Sequence, residues 1–376
     1  MRILELLSSP AWTGPAEPMA SVAGLLARRG HAVEVAVDAR RPGDLGDRLR
    51  AMGFKVRDDL ALSTKGFPPP LVADALRLGR LRGAFDVFHA HFSNDHAAAL
   101  LGAGHGRGPR PRVVRTVHSA RSLRDRALQG VAHRRTDGLV AVCEAHARVL
   151  AERFRVAPER ILATRGAVDA DLYAPDGPDL RAELGLAPGQ PVAGIVSRVK
   201  PDRRHAELVD AFRAVADRLS DARLVIVGRG EGLDDLRVRV AHRGLDRHVL
   251  FAGYRTGAAL AAAYRTLDVK VLLAEGNDGT CRALLEAMAS GRPGIAYRFG
   301  APAEDIVDGT TGLLVEEGDV AALAAALVEV LAGPARARAM GAAARERMRA
   351  LYTEAARADA VEAFLLRLLA APPAVL

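Results

Sequence analysis

Short apolar runs alternate along the chain with longer amphipathic stretches. Arg2–Leu7 is mostly apolar, Met19–Arg29 has a helical pattern that Gly30 ends, and the alternating valines of His31–Asp38 are typical of a strand. Because strand and helix keep alternating, we predict an α/β fold whose parallel sheets are covered by helices on both faces. Ligands of such sheets bind beyond the carboxyl ends of the strands, so functional residues are expected in the loops there.

The alternation is interrupted once, near the middle of the chain. Residues Asp176–Pro191 contain three prolines and three glycines, which is typical of a linker, and a new strand pattern starts at Val192. At 376 residues the chain is long enough for two domains of ordinary size. We therefore predict a domain over residues 1–175 and a second over residues 176–352.

One segment near three-quarters of the chain combines a strand, a turn and a helix. Val269–Ala274 predicts a buried strand, Gly-Asn-Asp-Gly predicts a turn, and Thr280–Ser290 predicts a helix that Gly291 ends. The start of such a helix binds anions, because its free N–H groups and its dipole face the loop. Asp278 enters from the loop, and Glu286 lies about two turns along the helix. Two carboxylates beside an anion site suit a ligand with phosphate at one end and hydroxyls around it.

A second loop carries two arginines. Val192–Arg198 predicts a strand, and Arg198 and Arg203 stand five residues apart before the next helix. Guanidinium groups bind phosphate oxygens in pairs, and two like charges that approach each other are costly unless an anion lies between them. The Gly-rich turn in Leu224–Gly232 also follows a strand. It is not a G-x-G-x-x-G motif, and no acidic residue follows the next strand, which argues against a nicotinamide dinucleotide.

Positive charge is concentrated in one part of the first domain. Arg107–Arg165, called the basic window below, holds 14 Arg against 5 Asp or Glu, a net +9, whereas the whole chain is +8 and the remainder sums to −1. Within it, Ser119–Thr136 predicts a basic amphipathic helix, continuous or broken, of a kind that lies on membranes. An anionic membrane surface or an acidic glycan is therefore a candidate partner. No nucleic-acid partner is expected, and a solvated arginine-rich face is the alternative.

The remaining composition bears on the cellular compartment. Two cysteines, Cys143 and Cys281, argue against a disulfide framework and fit a reducing cytoplasm. No run of about 18 apolar residues predicts a membrane span, and the acidic Glu5 in the first short apolar run argues against a signal peptide. We expect a cytoplasmic protein that is at most peripheral to the inner face of the membrane.

The spacing of Asp278 and Glu286 resembles the E-x7-E region of glycosyltransferase family 4, whose members are retaining enzymes with the GT-B fold. Further segments similar to motifs of that family cover nearly the whole chain in the family's order: Phe85–His91, His118, Arg160–Asp169 and Arg198–Arg203. The resemblance implies two Rossmann-like, doubly wound domains that face each other across a cleft, with a last helix, about 353–376, packed back on the first domain. It also implies transfer of a hexose from a UDP- or GDP-linked sugar to a hydroxyl of a lipid, polysaccharide or small molecule, without a metal or other cofactor.

The resemblance further implies roles for individual residues. Asp278 would hold sugar hydroxyls, Glu286 would hold the ribose, and His118 would approach the transferred sugar. Arg198 and Arg203 would stabilise the leaving diphosphate together with backbone amides. Those amides would lie near Gly14 and at the helix start, Gly279, Thr280, Cys281 and Arg282. The nucleobase would be bordered by Gly228, Gly253 and Tyr254.

The chain departs from the family pattern at several of these positions. Asp278 replaces the usual Glu, Thr280-Cys281-Arg282 replaces Phe-Gly-Leu, and Gly14 stands where the family has two adjacent glycines. These differences leave two alternatives open. One is a protein that binds a nucleotide sugar without transferring it, and the other is a nucleotide-sugar epimerase.

Two patterns have the spacing of metal ligands. His89 and His91 have i, i+2 spacing at a strand end, but no carboxylate or cysteine stands at a convincing third position. Asp169-Ala-Asp171 is formally the D-x-D motif of a different glycosyltransferase fold. We expect neither pattern to bind a metal.

Overall fold

Two compact units make up the protein. The computed structural model describes residues 1–38, 40–62, 69–105, 107–124, 127–276 and 278–374, and the side chains of residues 69, 127 and 278–280 lie outside that description. The first unit is Met1–Arg165 with the segment from Glu354, and the second is Gly166–Thr353. Residues 166–175 therefore belong to the second unit, where Val168 and Tyr173 are buried in the core. Each unit contains one parallel sheet, which confirms the predicted α/β fold.

The first unit has a seven-stranded sheet in the order β3-β2-β1-β4-β5-β6-β7. The strands are β1 (Arg2–Leu7), β2 (Ala32–Val37), β3 (Lys55–Arg57), β4 (Val87–Ala90), β5 (Arg112–Val117), β6 (Gly138–Ala141) and β7 (Ile161–Ala163). The helices are α1 (Ala16–Arg28), α2 (Leu45–Ala51), α3 (Pro69–Arg80), α4 (Ser93–Gly104), α5 (Ala127–Arg135) and α6 (Glu144–Glu152). The strand order reverses between β1 and β4, where doubly wound sheets open a crevice at their carboxyl edge.

The second unit has a six-stranded sheet in the order β10-β9-β8-β11-β12-β13. The strands are β8 (Val192–Val196), β9 (Arg223–Val227), β10 (Val249–Gly253), β11 (Val269–Leu272), β12 (Gly294–Tyr297) and β13 (Gly312–Val315). The helices are α7 (His205–Arg218), α8 (Leu233–His242), α9 (Gly257–Thr266), α10 (Asp278–Ala289), α11 (Pro302–Asp305), α12 (Val320–Ala332) and α13 (Pro334–Leu351). The order reverses between β8 and β11. The loops after these two strands are the two anion-binding segments that the sequence predicts.

The C-terminal helix α14 (Glu354–Ala370) completes the first unit. It packs against α1 and β6, and Arg29 after α1 forms ion pairs with Asp359 and Glu362. A Cβ atom on Gly138 of β6 would lie 2.3 Å from Leu368 Cδ1. Since that is shorter than any normal carbon–carbon contact, the glycine is what allows the helix to lie this close to the sheet.

Two predicted helices differ in their bounds from those observed. Helix α10 begins at Asp278, two residues before the predicted start, so Asp278 opens the helix and does not belong to the preceding loop. The predicted basic helix Ser119–Thr136 is divided between a 3-10 helix, Ala120–Leu123, and α5. The first difference lies at a helix start, where sequence patterns define boundaries poorly, and the second lies inside the predicted segment.

Among the described residues, no single helix has the length and apolar character needed to cross a membrane. One bent pair of helices, Val320–Ala332 with Pro334–Ala370, has them together, by length and composition alone.

Candidate functional site

The loop after β8 holds the two arginines predicted to bind a diphosphate. Arg198 is exposed, whereas the side chain of Arg203 is only 18% exposed. Arg203 Nε is buried without a hydrogen-bond partner among the described residues, and the nearest carboxylate oxygen, on Asp202, is 3.8 Å from Nη1. A buried, unsatisfied guanidinium nitrogen is costly, so this site favours an anionic ligand that would accept its hydrogen bond.

A buried histidine lies directly after these arginines. His205 is the first residue of α7, and its Nε2 lies 3.2 Å from Ser197 Oγ. Burial, together with the charges of Lys270 and Arg203, lowers the pKa of His205 to about 4. His205 is therefore neutral at pH 7, and the positive charge of the loop comes from its arginines and Lys200.

Two glycines hold the loop after β9 against the arginine loop. A Cβ atom on Gly228 would lie 1.9 Å from Ser197 O, and one on Gly230 would lie 2.1 Å from Val199 O. Backbone hydrogen bonds join the same loops, since Ser197 N donates to Val227 O and Val199 N donates to Arg229 O, both at 3.0 Å. Gly228 was predicted to border a nucleobase. Its packing gives it a second role, because it lets the backbone that carries Arg198 lie against the next strand end.

The third strand end supplies an exposed aromatic ring. Gly253, at φ +71°, accepts a hydrogen bond from Gly228 N through its carbonyl oxygen at 2.9 Å. The next residue, Tyr254, is 58% exposed, and the guanidinium carbon of Arg229 lies 4.3 Å from the centre of its ring. The predicted residues Gly228, Gly253 and Tyr254 are thus brought together. Arg229 was not predicted, because only the neighbouring strand places it over the ring.

The turn before α10 is packed tightly around a buried cysteine. Gly276 has a φ of +86°, and a Cβ atom there would lie 2.4 Å from Cys281 Sγ. Cys281 is 5% exposed, so its side chain packs inside the turn, and the predicted contact with substrate rests on its backbone amide. Arg282 is partly exposed. The structure does not describe the side chains of Asp278 and Thr280 or the surroundings of Gly279.

Glu286 of α10 is a buried carboxylate with a buried phenol beside it. It is 6% exposed, and the hydroxyl of Tyr264 on α9 donates to its Oε2 at 2.7 Å. Burial, and then the charge of Glu286, raise the pKa of Tyr264 well above its usual value, so this hydroxyl remains a donor. The tyrosine fixes the orientation of the carboxylate predicted to hold the ribose. Neither Tyr264 nor its link to Glu286 was predicted.

Lys270 is an unexpected charged residue within β11. It is 0% exposed, and Nζ donates to one acceptor among the described residues, Val271 O at 2.5 Å. Burial lowers its pKa to about 7, and the negative charge of Glu286 acts in the opposite direction. The sequence contained a signal, since this lysine interrupts an otherwise apolar strand.

In the first unit, His89 of β4 and His91 directly after it have a third partner. Glu5 Oε2 lies 3.0 Å from His89 Nδ1 and 2.8 Å from His91 Nε2, and all three residues are at most 5% exposed. The expectation that no carboxylate completes this pair is therefore wrong. Glu5 is 84 residues away from His89, but β1 and β4 are neighbours in the sheet and place the two residues in register.

His118 follows β5 and joins the same group of side chains. It is 8% exposed, and its Nε2 lies 2.9 Å from His91 Nδ1. Gly14 is in the turn directly before α1, where Thr13 Oγ1 is buried without a partner among the described residues. His118 and Gly14 are the two residues of the predicted site in this unit. His118 lies at the carboxyl end of a strand, and Gly14 lies in the loop that follows one.

Asp169-Ala-Asp171, the second pattern with the spacing of metal ligands, lies in a turn that hydrogen bonds to the backbone close. Asp169 Oδ1 accepts hydrogen bonds from the backbone N–H groups of Asp171 and Leu172, each at 3.0 Å. This is a side chain that closes a turn, in the way aspartates commonly do.

The basic window is less uniform than its composition suggested. Arg115 is 1% exposed and bonds His96, while Arg110 pairs with Asp137. Arg112 and Arg160 donate to the backbone oxygens of Ala371 and Thr136. These four arginines support the fold. The exposed charge that remains includes Arg121, Arg124, Arg134, Arg135 and Arg148.

Two family models match the chain. The model described as Glycosyltransferase Family 4 matches residues 19–172, and the model described as Glycosyl transferases group 1 matches residues 176–347. The chain is 32% identical, over 75% of its length and 77% of the relative, to a GDP-mannose-dependent alpha-(1-6)-phosphatidylinositol monomannoside mannosyltransferase of Mycolicibacterium smegmatis. It is 31% identical, over 84% of its length and 76% of the relative, to a D-inositol 3-phosphate glycosyltransferase of Nocardia farcinica.

Solved structures resemble the chain over nearly its whole length. A glycosyltransferase from Rickettsia africae has a TM-score of 0.84 at 15% identity and covers 98% of both chains. The Anabaena protein HepE, crystallised with UDP and glucose, has a TM-score of 0.79 at 18% identity and covers 97% of this chain and 99% of its own. At these identities the likeness bears on the fold alone, and it confirms the predicted GT-B fold.

Proposed function

This chain belongs to glycosyltransferase family 4, and we propose that it moves a hexose from a UDP- or GDP-linked sugar to an acceptor hydroxyl with retention of anomeric configuration. The observation that carries the proposal is the buried Nε of Arg203, which has no hydrogen-bond partner among the described residues and lies with Arg198 in the loop at the switch point of the second sheet. A diphosphate supplies the oxygen atoms that this guanidinium requires.

We assign the chemistry of the leaving group to cationic side chains and to a helix start. Negative charge grows on the diphosphate as the sugar leaves, and donors already fixed in place stabilise that charge most effectively. Arg198 and Arg203 supply positive charge from the loop after β8, and the first turn of α10 directs backbone N–H groups to the same crevice of the second sheet. Because these groups neutralise the diphosphate, we propose that neither a metal nor another cofactor is needed.

We assign the hydroxyl groups of the donor to the two carboxylates. Glu286 is buried, and Tyr264 fixes its orientation, which suits a carboxylate that accepts hydrogen bonds from the neighbouring hydroxyls of a ribose. Asp278 opens the same helix two turns earlier, and we assign it to hydroxyls of the transferred sugar. Tyr254 with Arg229 offers a flat, exposed surface for the base.

Substitution of the two carboxylates tests this assignment. Glu286→Gln should weaken binding of the bare nucleoside diphosphate and of the nucleotide sugar by a similar factor, since both contain the ribose. Asp278→Asn should leave diphosphate affinity within about twofold and lower the transfer rate, because loss of one charged hydrogen bond costs roughly 1.5–3 kcal/mol. Calorimetry with UDP and GDP, and product assays with UDP-glucose and GDP-mannose, would measure the two effects.

An exposed carboxylate serves as the control for that test. Glu316→Gln removes a charge from the same unit at a side chain that is 75% exposed, so it should change neither the diphosphate affinity nor the transfer rate. Parent-rate transfer by Asp278→Asn with every active donor would remove Asp278 from the site. Absence of transfer from any hexose donor, with acceptor extract supplied, would overturn the proposed function itself.

We further propose that the acceptor carries a phosphate group, either free or in a lipid. Two relatives are named for acceptors that contain inositol and phosphate, phosphatidylinositol monomannoside and inositol 3-phosphate. The exposed arginines of the basic window supply the complementary charge. Among the predicted lipid, polysaccharide and small-molecule acceptors, this proposal selects those that carry a negative charge.

A lipid acceptor would bring the protein to a membrane surface, and α5 has the side chains for such contact. Leu128 is 86% exposed and Val131 is 36% exposed, and Arg134 and Arg135 follow them on the same helix. Exposed apolar residues next to basic residues insert between lipids while the cations meet anionic headgroups. We therefore propose peripheral binding to anionic membranes through this helix.

Vesicle pelleting tests the membrane proposal. Vesicles that contain anionic lipid should pellet more protein than neutral vesicles, and the difference should fade as salt rises. Leu128→Asp should reduce this binding. Val238→Asp is the matched control, because Val238 is also exposed (57%) but lies in the second unit. Equal pelleting with both lipids would leave the basic window as a solvated or glycan-binding face.

A further inference from the structure

Two successive arginines end the loop after β8, and their surroundings differ. Arg203 closes a 3-10 helix, Pro201–Arg203, and its Nε is buried without a hydrogen-bond partner among the described residues. Arg204, by contrast, forms ion pairs with Glu207 and Glu317. A nitrogen of the first arginine thus remains for a ligand, whereas the second arginine is held by the protein itself.

The backbone of Arg204 has the left-handed helical conformation, with a φ of +58° and a ψ of +32°. Among the described residues, three residues other than glycine have a positive φ, and Arg204 is the one that lies in the second unit. This conformation is strained for any residue with a Cβ atom, because that atom comes too close to the following carbonyl oxygen. A strained residue persists only where its surroundings hold it, so the contacts of this side chain need an account.

Acidic and aromatic groups from several elements hold the side chain of Arg204. Its guanidinium carbon lies 5.4 Å from the ring centre of Tyr297 and 5.7 Å from that of Phe299, within the range of cation–π contacts. Nη1 donates to Glu207 Oε1 at 3.3 Å, and Nη2 donates to Glu317. The hydroxyl of Tyr297 donates to Glu207 Oε2 at 2.5 Å, which fixes that carboxylate in turn. The side chain is thereby tied to α7, to the end of β12 and to the loop after β13.

The anchored residue joins two fixed pieces of backbone. On its N-terminal side, Arg204 N donates to Pro201 O at 3.1 Å, and this bond closes the turn that carries Arg203. On its C-terminal side, α7 begins at His205, whose Nε2 lies 3.2 Å from Ser197 Oγ. The dihedral angles of Arg204 therefore set how Arg203 is oriented relative to α7.

We propose that Arg204 is a positioning residue that holds Arg203 in the orientation that binds the diphosphate of the donor. Its ion pairs and ring contacts offset the strain of the left-handed turn, and the turn fixes the direction of Arg203. Without these contacts the turn relaxes to a commoner conformation, and a ligand must then restore it at a cost in affinity. This inference rests on the proposed function, because it assigns how the phosphate-binding loop of that function is held.

Two variants that differ by one methyl group test this role. Arg204→Ala removes the side-chain contacts but keeps a Cβ atom, so the turn should relax and the affinity for UDP or GDP should fall about 5- to 30-fold. Arg204→Gly removes the same contacts, but glycine adopts a positive φ without a steric cost, so this variant should rescue the affinity to within about threefold of the wild type. Calorimetry with UDP and GDP gives the affinities, and urea unfolding measures the loss of stability that the two variants share.

A double-mutant cycle shows whether Arg204 acts through Arg203. In an Arg203→Ala background, Arg204→Ala should weaken diphosphate binding no further. Additive losses in the double variant would mean that Arg204 acts independently of Arg203. Equal losses for Arg204→Ala and Arg204→Gly would mean that the guanidinium group itself touches the ligand. Either result overturns the positioning role.

Removal of a single anchor gives a milder test, which also covers the case in which Arg204→Ala does not fold. Glu317→Ala should lower the affinity for UDP and GDP in the wild-type background and leave it unchanged in an Arg204→Gly background, where no strain needs to be held. Glu316→Ala is the matched control, since this neighbouring carboxylate pairs with Arg298.

Two further outcomes separate the inference from the function on which it rests. If Glu317→Ala and Arg204→Ala lower stability but bind the nucleotides as tightly as the wild type, Arg204 has a structural role only and the inference fails. If the wild-type protein binds neither UDP nor GDP, the proposed function is overturned, and this inference with it.

Discussion

Lys270→Met should stabilise the protein at pH 7 and remove most of the rise in stability between pH 7 and pH 9.5. The wild-type lysine is 0% exposed, and burial lowers its pKa to about 7. In the unfolded chain a lysine holds its proton up to about pH 10.4. Between these two pH values the unfolded state binds more protons, so the free energy of unfolding of the wild type rises with pH.

The size of this effect follows from the same two pKa values. With a pKa of about 7 in the folded protein and about 10.4 in the unfolded chain, the buried lysine costs about 4 kcal/mol of stability at pH 7, of which roughly 3 kcal/mol is recovered by pH 9.5. Urea unfolding of the wild type and of Lys270→Met at pH 7 and pH 9.5 would measure these free energies of unfolding. Lys55→Met, at a side chain that is 71% exposed, is the control and should show little change. If Lys270→Met proves less stable at pH 7, Lys270 is charged and serves Glu286 as its ionic partner.

Arg198→Ala should weaken binding of a nucleoside diphosphate by about 10- to 150-fold, the equivalent of roughly 1.5–3 kcal/mol for one charged contact. The side chain is exposed at the switch point of the second sheet, so its removal takes away a phosphate contact and little packing. Calorimetry with UDP and GDP would give the affinities directly.

Another exposed arginine of the same unit gives the matched control for Arg198. Arg237 on α8 is 55% exposed and pairs with Asp234, and Arg237→Ala should leave the affinity unchanged. A change smaller than twofold for Arg198→Ala would mean that the diphosphate lies elsewhere. The presence of the largely buried, positively charged Arg203 in this loop would then need another explanation.

Much of the fold could be predicted because its signals are local. Strand and helix patterns repeat over a few residues, so the alternation along the chain was sufficient to predict two parallel sheets. The two anion-binding loops were also predictable, since Arg198, Arg203 and the segment from Asp278 directly follow apolar runs. What the local pattern could not define was the first residue of α10, which is Asp278 and not Thr280.

The sequence by itself thus determined the two α/β units and the loops that carry the candidate site. Only the tertiary structure decided which side chains meet there. Glu5 lies 86 residues from His91, and they touch because the strand order places β1 beside β4. Tyr264 reaches Glu286 from a different helix, and Arg115 is buried although its sequence neighbours suggested a charged surface. Periodicity shows that a side chain is buried, but its partner depends on which strands and helices become neighbours, and that is a property of the whole fold.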